Sequence, residues 1–231
     1  MKERPILFSD EMVRALLDGR KTQTRRILKE QPPEGCGAIE GPAMFAPTVF
    51  VRGAEHPGAE VFGAFSEDGE WSIKCPYGQP GDRLWVRETT IRVEEHGYVG
   101  PIYRASENGA AILDHGLAPA PGDAVEVEPY ELRLRPSIHM PRSMARLLLE
   151  VTAVRVQRLQ DIGDSDAAME GVEEQGYDWI DYLHRDEAHV ALSARASFST
   201  LWDSINGRGS WNANPWVWVV EFQRVDSEVP L

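Results

Sequence analysis

Residues 147–159 and 216–222 carry the pattern that most restricts this chain: side chains that alternate as a strand requires and do not follow the turn of a helix. In the first stretch Leu149, Val151 and Ala153 alternate with polar residues, and Val154 and Val156 continue the β-branched content. In the second, Trp216, Trp218, Val220 and Phe222 fall on one side. Two helical patterns lie between them. One is capped near Asp164 or Ser165 and runs through Ala167, Ala168 and Glu170 to Gly171. The other spans residues 193–205, with Phe198, Leu201, Trp202 and Ile205 on one face, and Asn206-Gly207 breaks it.

The N-terminal part mixes the same elements. Residues 11–18 read as a short helix, with Ser9 or Asp10 as N-cap, Met12, Ala15 and Leu16 as its apolar stripe, and Gly19 in the position of a C′ glycine. Residues 22–28 then read as a strand. Residues 83–93 are a further strand candidate, where Leu84, Val86 and Glu88 alternate against Trp85, Arg87 and Thr89, and residues 97–104 are expected to pair with it. Residues 31–82 are interrupted by Pro32-Pro33, Gly41-Pro42, Pro57-Gly58 and Pro80-Gly81, which predicts an irregular insertion with a short hairpin. Residues 105–130 read as loop, and residues 173–189 are acidic and patternless. Strands dominate, helices lie between them, and no βαβ alternation recurs. The expected class is α+β: a compact mixed sheet or small barrel with helices attached.

At 231 residues, 42% hydrophobic and 26% charged, the chain can bury a core. No apolar run approaches the roughly 20 residues of a membrane span, so no membrane partner is expected. Met1-Lys2-Glu3-Arg4-Pro5 has no apolar h-region. Cys36 and Cys75 do not make a disulfide framework. These features predict a cytoplasmic protein.

The net charge of −13 argues against a protein that coats nucleic acid indiscriminately. Its distribution is uneven. Residues 1–30 hold eight Lys or Arg against five Asp or Glu, a local +3 that leaves −16 for the rest. Arg133, Arg135, Arg142 and Arg146 form a second basic stretch without an acid. Acids crowd residues 94–131 and 161–187, as solvated faces do. Segregation of this kind suggests a small anion-attracting site on an otherwise repulsive surface.

The basic segment Gly19-Arg20-Lys21-Thr22-Gln23-Thr24-Arg25-Arg26 follows a helix end and enters a strand. Arg20, Lys21, Arg25 and Arg26 offer donors to an anion, and the Arg fork suits phosphate or carboxylate. Thr22 and Thr24 add hydroxyls. In a regular strand Thr22, Thr24 and Arg26 share one face and Lys21, Gln23 and Arg25 the other, so Lys21 and Thr24 converge only across a turn or bulge. The plain alternative is an exposed basic edge strand whose charges discourage aggregation.

Pro5-Ile6-Leu7-Phe8 and Leu17-Asp18 leading into Gly19–Arg26 resemble the N-terminal signature of ASCH domains. The chain is similar to the longer ASCH-type proteins carried by phages and prophages. Further matching stretches are Tyr77-Gly78-Gln79-Pro80-Gly81-Asp82-Arg83-Leu84-Trp85-Val86-Arg87-Glu88, Arg135-Pro136-Ser137-Ile138-His139-Met140-Pro141-Arg142, and Leu201-Trp202-Asp203-Ser204-Ile205-Asn206-Gly207 through Asn214-Pro215-Trp216-Val217-Trp218. Insertions at about 31–75 and 96–131 lie outside these motifs.

The resemblance implies a single domain with a PUA-like fold, a small β-barrel with flanking helices. It also implies a link to RNA or modified nucleosides. Some small ASCH proteins are amidohydrolases that remove the acetyl group of N4-acetylcytidine, using a Lys and a Thr of the G-R-K-T-x-T motif and a Glu on the helix after a later strand. Lys21 and Thr24 fall on the motif positions. Glu170 matches the acid, with Asp166 and Glu173 on or near the same segment. The chemistry is coherent. Thr24 attacks or holds a water, Lys21 serves as base or as the cation at the oxyanion, and Glu170 shuttles the proton. Like charges at Arg20, Arg25 and Arg26 would depress the basicity of Lys21, and a helix C-terminus would oppose that shift.

His139 and Arg142 are expected to line the pocket, although a lone His beside apolar residues is more often structural. Trp211, flanked by Ser210 and Asn212, is the best candidate to stack on a base, while most other tryptophans read as core. Asn212 and Asn214 can read a base edge, but loop Asn usually serves a turn. Cys36, His56 and Cys75 lack zinc spacing, and no phosphate-binding or dinucleotide glycine fingerprint is present, so no metal and no cofactor is expected. The expected partner is a modified cytosine nucleoside or nucleotide. RNA or modified DNA is the partner of a non-catalytic alternative, RNA the substrate of a ribonuclease alternative, and a second protein, bound through the insertions, that of a phage accessory protein.

Overall fold

The computed structural model describes residues 1–98, 100–118, 126–184 and 189–225. The fold is α+β, with four α-helices among many strands in the described residues. Two compact units can be separated. The first gathers Met1–Lys2, Arg20–Asp82 and Glu150–Gln223; the second gathers Glu3–Gly19, Arg83–Leu149 and the residues from Arg224.

In the first unit the motif strand, Gln23–Ile27, pairs antiparallel with the last strand, Trp216–Val225, in the register Gln23↔Glu221, Thr24↔Val220, Arg25↔Val219, Arg26↔Trp218 and Ile27↔Val217. The last strand lies between the motif strand and the long strand Leu148–Arg158. Its centre is apolar on both faces: Val217, Trp218, Val219 and Val220 are all buried. The strand therefore reads as a continuous run rather than a one-sided alternation, as a strand covered on both sides does. Each of those side chains contributes on the order of 1.5–3 kcal/mol of burial.

The two expected helices of this unit form. The short helix Asp164–Met169 has Gly163 as its N-cap, Glu170 as its C-cap and Gly171 in the left-handed region, φ 88°. The helix Ala194–Asn206 is capped by Ser193, whose hydroxyl accepts from the Ala196 amide, and buries Phe198, Leu201 and Trp202. Ile205, expected on the same face, is exposed.

The 31–75 insertion is more regular than its composition implied. Ile39–Phe45, Val61–Ser66 and Ser72–Lys74 make a three-stranded antiparallel sheet, and Thr48–Val51 with Ala54–Pro57 makes a hairpin. Two of its glycines, Gly41 and Gly63, sit inside strands. A Cβ on Gly63 would collide with the Ile73 carbonyl oxygen, and the register shifts between Glu40 and Ala43, beside Gly41. Glycine marks close backbone approach and a bulge here, not a loop. Residues 173–184 and 189 onward also gain order, since Glu174–Gln175, Asp178–Ile180 and Val190–Ala191 form a small sheet. Residues 185–188 of that acidic stretch lie outside the described residues.

In the second unit Glu3–Leu7 runs parallel to Arg83–Arg87. Residues 83–93 are two strands, not one, and the second, Thr90–Arg92, pairs antiparallel with Ile102–Tyr103 and with Arg133–Arg135. Part of the 105–130 stretch, expected as loop, is the helix Glu107–His115, capped by the Ser106 hydroxyl. Its Ile112 joins Ile91, Val93, Leu117 and Val127 in one apolar cluster. Val99 and residues 119–125 lie outside the described residues. The Asp10–Leu17 helix buries Val13, Ala15 and Leu16 and is followed by Gly19 at φ 75°.

Among the described residues no barrel closes. Gln23–Ile27 and Glu3–Leu7 each have one strand neighbour, and closure requires that edge strands find each other.

Candidate functional site

The motif enters the first unit just after the turn at Gly19 and lies along the end of the short helix. The Thr22 amide donates to the Met169 carbonyl at 2.9 Å. Lys21 Nζ donates to the Glu170 main-chain oxygen at 2.7 Å, and Arg20 Nη1 to the Gly171 oxygen at 2.9 Å. The last carbonyls of a helix have no partner within it and carry its negative dipole end, so two cations and an amide from the motif satisfy them.

Strand alternation sets the rest. Gln23 and Arg25 point to the face that carries the helix. The Gln23 amide donates to the Asp166 main-chain oxygen. Arg25 splits its fork between two carboxylates one helical turn apart, with Nη1 to Glu170 Oε1 at 2.9 Å and Nη2 to Asp166 Oδ2 at 2.7 Å. Lys21 reaches the same carboxylate from the other side, Nζ to Glu170 Oε2 at 3.0 Å. The side chains of Lys21 and Arg25 have no solvent exposure, and that of Glu170 has 2%. Two buried cations thus share one buried carboxylate. The Arg25 Nε–H is buried without a partner among the described residues.

An outer layer follows. Arg155 Nη2, from the long strand, donates to the same Asp166 Oδ2 at 2.6 Å, and its Nη1 pairs with Glu221. Arg155 also approaches Gln23 Oε1 at 3.3 Å. Arg20 pairs with Glu173 at 3.4 Å, both partly exposed.

Burial pushes the Lys21 ammonium below the usual lysine range. The charge and hydrogen bond of Glu170 oppose that shift, and the nearby Arg26 and Arg25 charges add to it. The amine is therefore easier to deprotonate than an ordinary lysine. Burial likewise lowers the Arg26 guanidinium, against the fields of Tyr77 and Glu170, and raises the Tyr77 phenol. Burial raises the Asp166 carboxyl, but the bonds and charges of Arg25 and Arg155 outweigh it and hold the group below the usual carboxylate range.

Thr24 is buried, and among the described residues its hydroxyl makes no hydrogen bond to Lys21, Glu170 or any other group. It lies between Gln23 and Arg25 in a strand, and alternation turns it to the other face. The structure thus brings Lys21, Arg25 and Glu170 together and leaves the Thr24 hydroxyl unbonded.

Trp211 is half-buried and already engaged. The Arg195 guanidinium stands 5.3 Å from its ring centroid and Phe198 meets its edge at 6.2 Å, while its amide donates to Asp203. Asn214 sits in the left-handed region, and its side-chain oxygen accepts from the Gln160 amide, a turn role. His139 and Arg142 belong to the second unit. Both are exposed; the His139 amide closes a short 3-10 turn, and Arg142 Nε donates to Glu3 at 2.9 Å. No group of three or more His, Cys, Asp or Glu among the described residues is arranged to hold a metal ion.

Asp166 appeared in the sequence only as an alternative acid, and Arg155 and Glu221 not at all. The spacing of Asp166 and Glu170, one turn apart, was the available signal. Arg155 had none, since an arginine in a strand normally faces water.

The chain matches no family model, and neither the curated proteins nor the solved structures include one that matches it. No helix among the described residues is long and apolar enough to cross a membrane.

Proposed function

We propose that this chain is an ASCH-type, PUA-like amidohydrolase that converts N4-acetylcytidine, or a related N4-acylated cytosine nucleoside, to the free base amine and a carboxylic acid, in the cytoplasm of a bacterium or a phage-infected cell. The observation that supports it is the buried Lys21–Glu170 pair, because a hydrolase of this kind needs a lysine that gives up its proton readily beside a carboxylate able to carry it. Lys21 takes the proton of a water held by the Thr24 hydroxyl, and that water attacks the acyl carbon, so its oxygen leaves in the carboxylic acid. Glu170, hydrogen-bonded to Lys21, delivers a proton to the departing N4 nitrogen, so the nucleoside leaves as a neutral amine. Arg25 steadies the carboxylate.

The paired, buried state of Lys21 and Arg25 argues against these two residues gripping the phosphates of long RNA. Groups without exposure and already bonded to carboxylates are poor phosphate ligands. The test is incubation with N4-acetylcytidine and detection of cytidine and acetate by mass spectrometry. Turnover that is lost in Thr24→Val and kept in Thr24→Ser supports the proposal. Absence of product across a panel of N4-acylated cytidines, with binding that weakens steeply with salt, selects the RNA-binding alternative, and cleavage of RNA the ribonuclease.

A further inference from the structure

Four lysines occur in the whole chain: Lys2, Lys21, Lys29 and Lys74. Only Lys21 is buried, and what surrounds it is an ordered series of charges. Arg155 holds Asp166, Asp166 holds one arm of Arg25, and the other arm of Arg25 holds one oxygen of Glu170. Lys21 takes the second oxygen. Every link is between 2.6 and 3.0 Å. The sharing is asymmetric in a way that matters. A guanidinium facing a lone carboxylate prefers to close on both its oxygens. Arg25 does not, because its Nη2 is drawn to Asp166, one turn earlier on the helix.

We propose that Asp166 and Arg155 are positioning residues for the Lys21–Glu170 pair: acting through Arg25, they leave one Glu170 oxygen to the Lys21 amine. The catalytic consequence rests on the hydrolase reading above; the geometric claim does not. The charged groups that act on Lys21 are Glu170, Arg25 and Arg26, with Asp166 and Arg155 beyond Arg25. Asp166 offsets the Arg25 charge. Arg155, itself shared between Asp166 and Glu221, in turn draws on Asp166. The two residues therefore act on Lys21 with opposite sign. Removing the Asp166 charge leaves Arg25 unopposed and makes the Lys21 ammonium lose its proton more easily. Removing the Arg155 charge turns all of Asp166 onto Arg25 and makes Lys21 hold its proton more firmly. A purely structural brace would not separate in this way, since loss of either residue would loosen the same corner.

The experiment is a titration of the 231-residue chain labelled with 13C at lysine Cε, followed by NMR, with the Lys21 signal assigned from its absence in Lys21→Arg. Asp166→Asn is expected to move the Lys21 midpoint down by about half a pH unit and Arg155→Met to move it up by a similar amount. Arg155→Lys restores most of the wild-type value. Circular dichroism checks that each variant is folded, and because Asp166 and Arg155 are partly exposed the substitutions are tolerable. Midpoints that stay put, or shift the same way in both variants, overturn the proposal. Hydrolysis of N4-acetylcytidine is followed on the same samples. Under the hydrolase reading kcat falls several-fold in Asp166→Asn, because Arg25 then closes on both Glu170 oxygens and displaces the Lys21 amine, and KM changes little, because Asp166 does not touch substrate. A wild-type protein without turnover removes the hydrolase reading, while the titration still decides the positioning claim.

Discussion

Lys21 Nζ bonds twice to one residue, at 3.0 Å to the Glu170 carboxylate and at 2.7 Å to the Glu170 main-chain oxygen. The ammonium is thus both the end-cap of a helix and one half of a buried ion pair. The two roles pull its proton affinity in the same direction, upward, yet burial and two neighbouring guanidinium groups pull it further down.

Because the pair is buried, breaking it from either side exposes the cost of the stranded charge. Glu170→Gln leaves two buried cations, Lys21 and Arg25, without their shared carboxylate, and is expected to lower the unfolding free energy by about 3–5 kcal/mol. Urea denaturation measures it. A loss below about 1 kcal/mol would show that water reaches the pair.

Stability should also depend on pH through Lys21. Its folded proton affinity is depressed, whereas in the unfolded chain it titrates near the ordinary lysine value of about 10.4. Between those two values the unfolded state binds more protons than the folded one, so stability rises with pH across that window and the penalty is fully present below it. Lys21→Met removes this dependence. The check is the urea midpoint of the two proteins from neutral pH to about pH 10, where the wild type climbs relative to the variant.

Thr24 separates chemistry from packing. Thr24 is buried as a residue and its hydroxyl makes no hydrogen bond among the described residues, so Thr24→Val changes stability by less than about 1 kcal/mol. Under the proposed hydrolase function, hydrolysis of N4-acetylcytidine is expected to fall to background in that variant and to persist in Thr24→Ser. Equal rates in all three would remove Thr24 from the mechanism.

Gly109 tests the second unit. Alanine inside a helix normally outperforms glycine by roughly 0.5–1 kcal/mol. Here a Cβ would run into the Tyr103 carbonyl oxygen. Gly109→Ala is expected to destabilise by about 1–3 kcal/mol, read from thermal melting.

What could be read from the residues alone was local. The strands at 147–159 and 216–222, the strand that carries the motif, and the three helices around residues 11–18, 164–170 and 194–206 all follow from short-range periodicity and capping residues. So did the alternation that puts Lys21, Gln23 and Arg25 on one face. A short hairpin within residues 31–75 was expected and forms, but the three-stranded sheet of the same segment and the helix at 107–115 were hidden, because glycine and proline mark close approach and bulges there as well as loops.

The site was legible only in part for the same reason. Its cations stand together in the chain, and a run of basic residues is visible in any sequence. Its acids, and the Arg155 that steadies them, lie well over a hundred residues away. Nothing about Arg25 by itself says whether it meets a phosphate or a carboxylate. That choice belongs to long-range packing: the end of a short helix is set against the motif strand, water is excluded, and charges without hydration must then find each other.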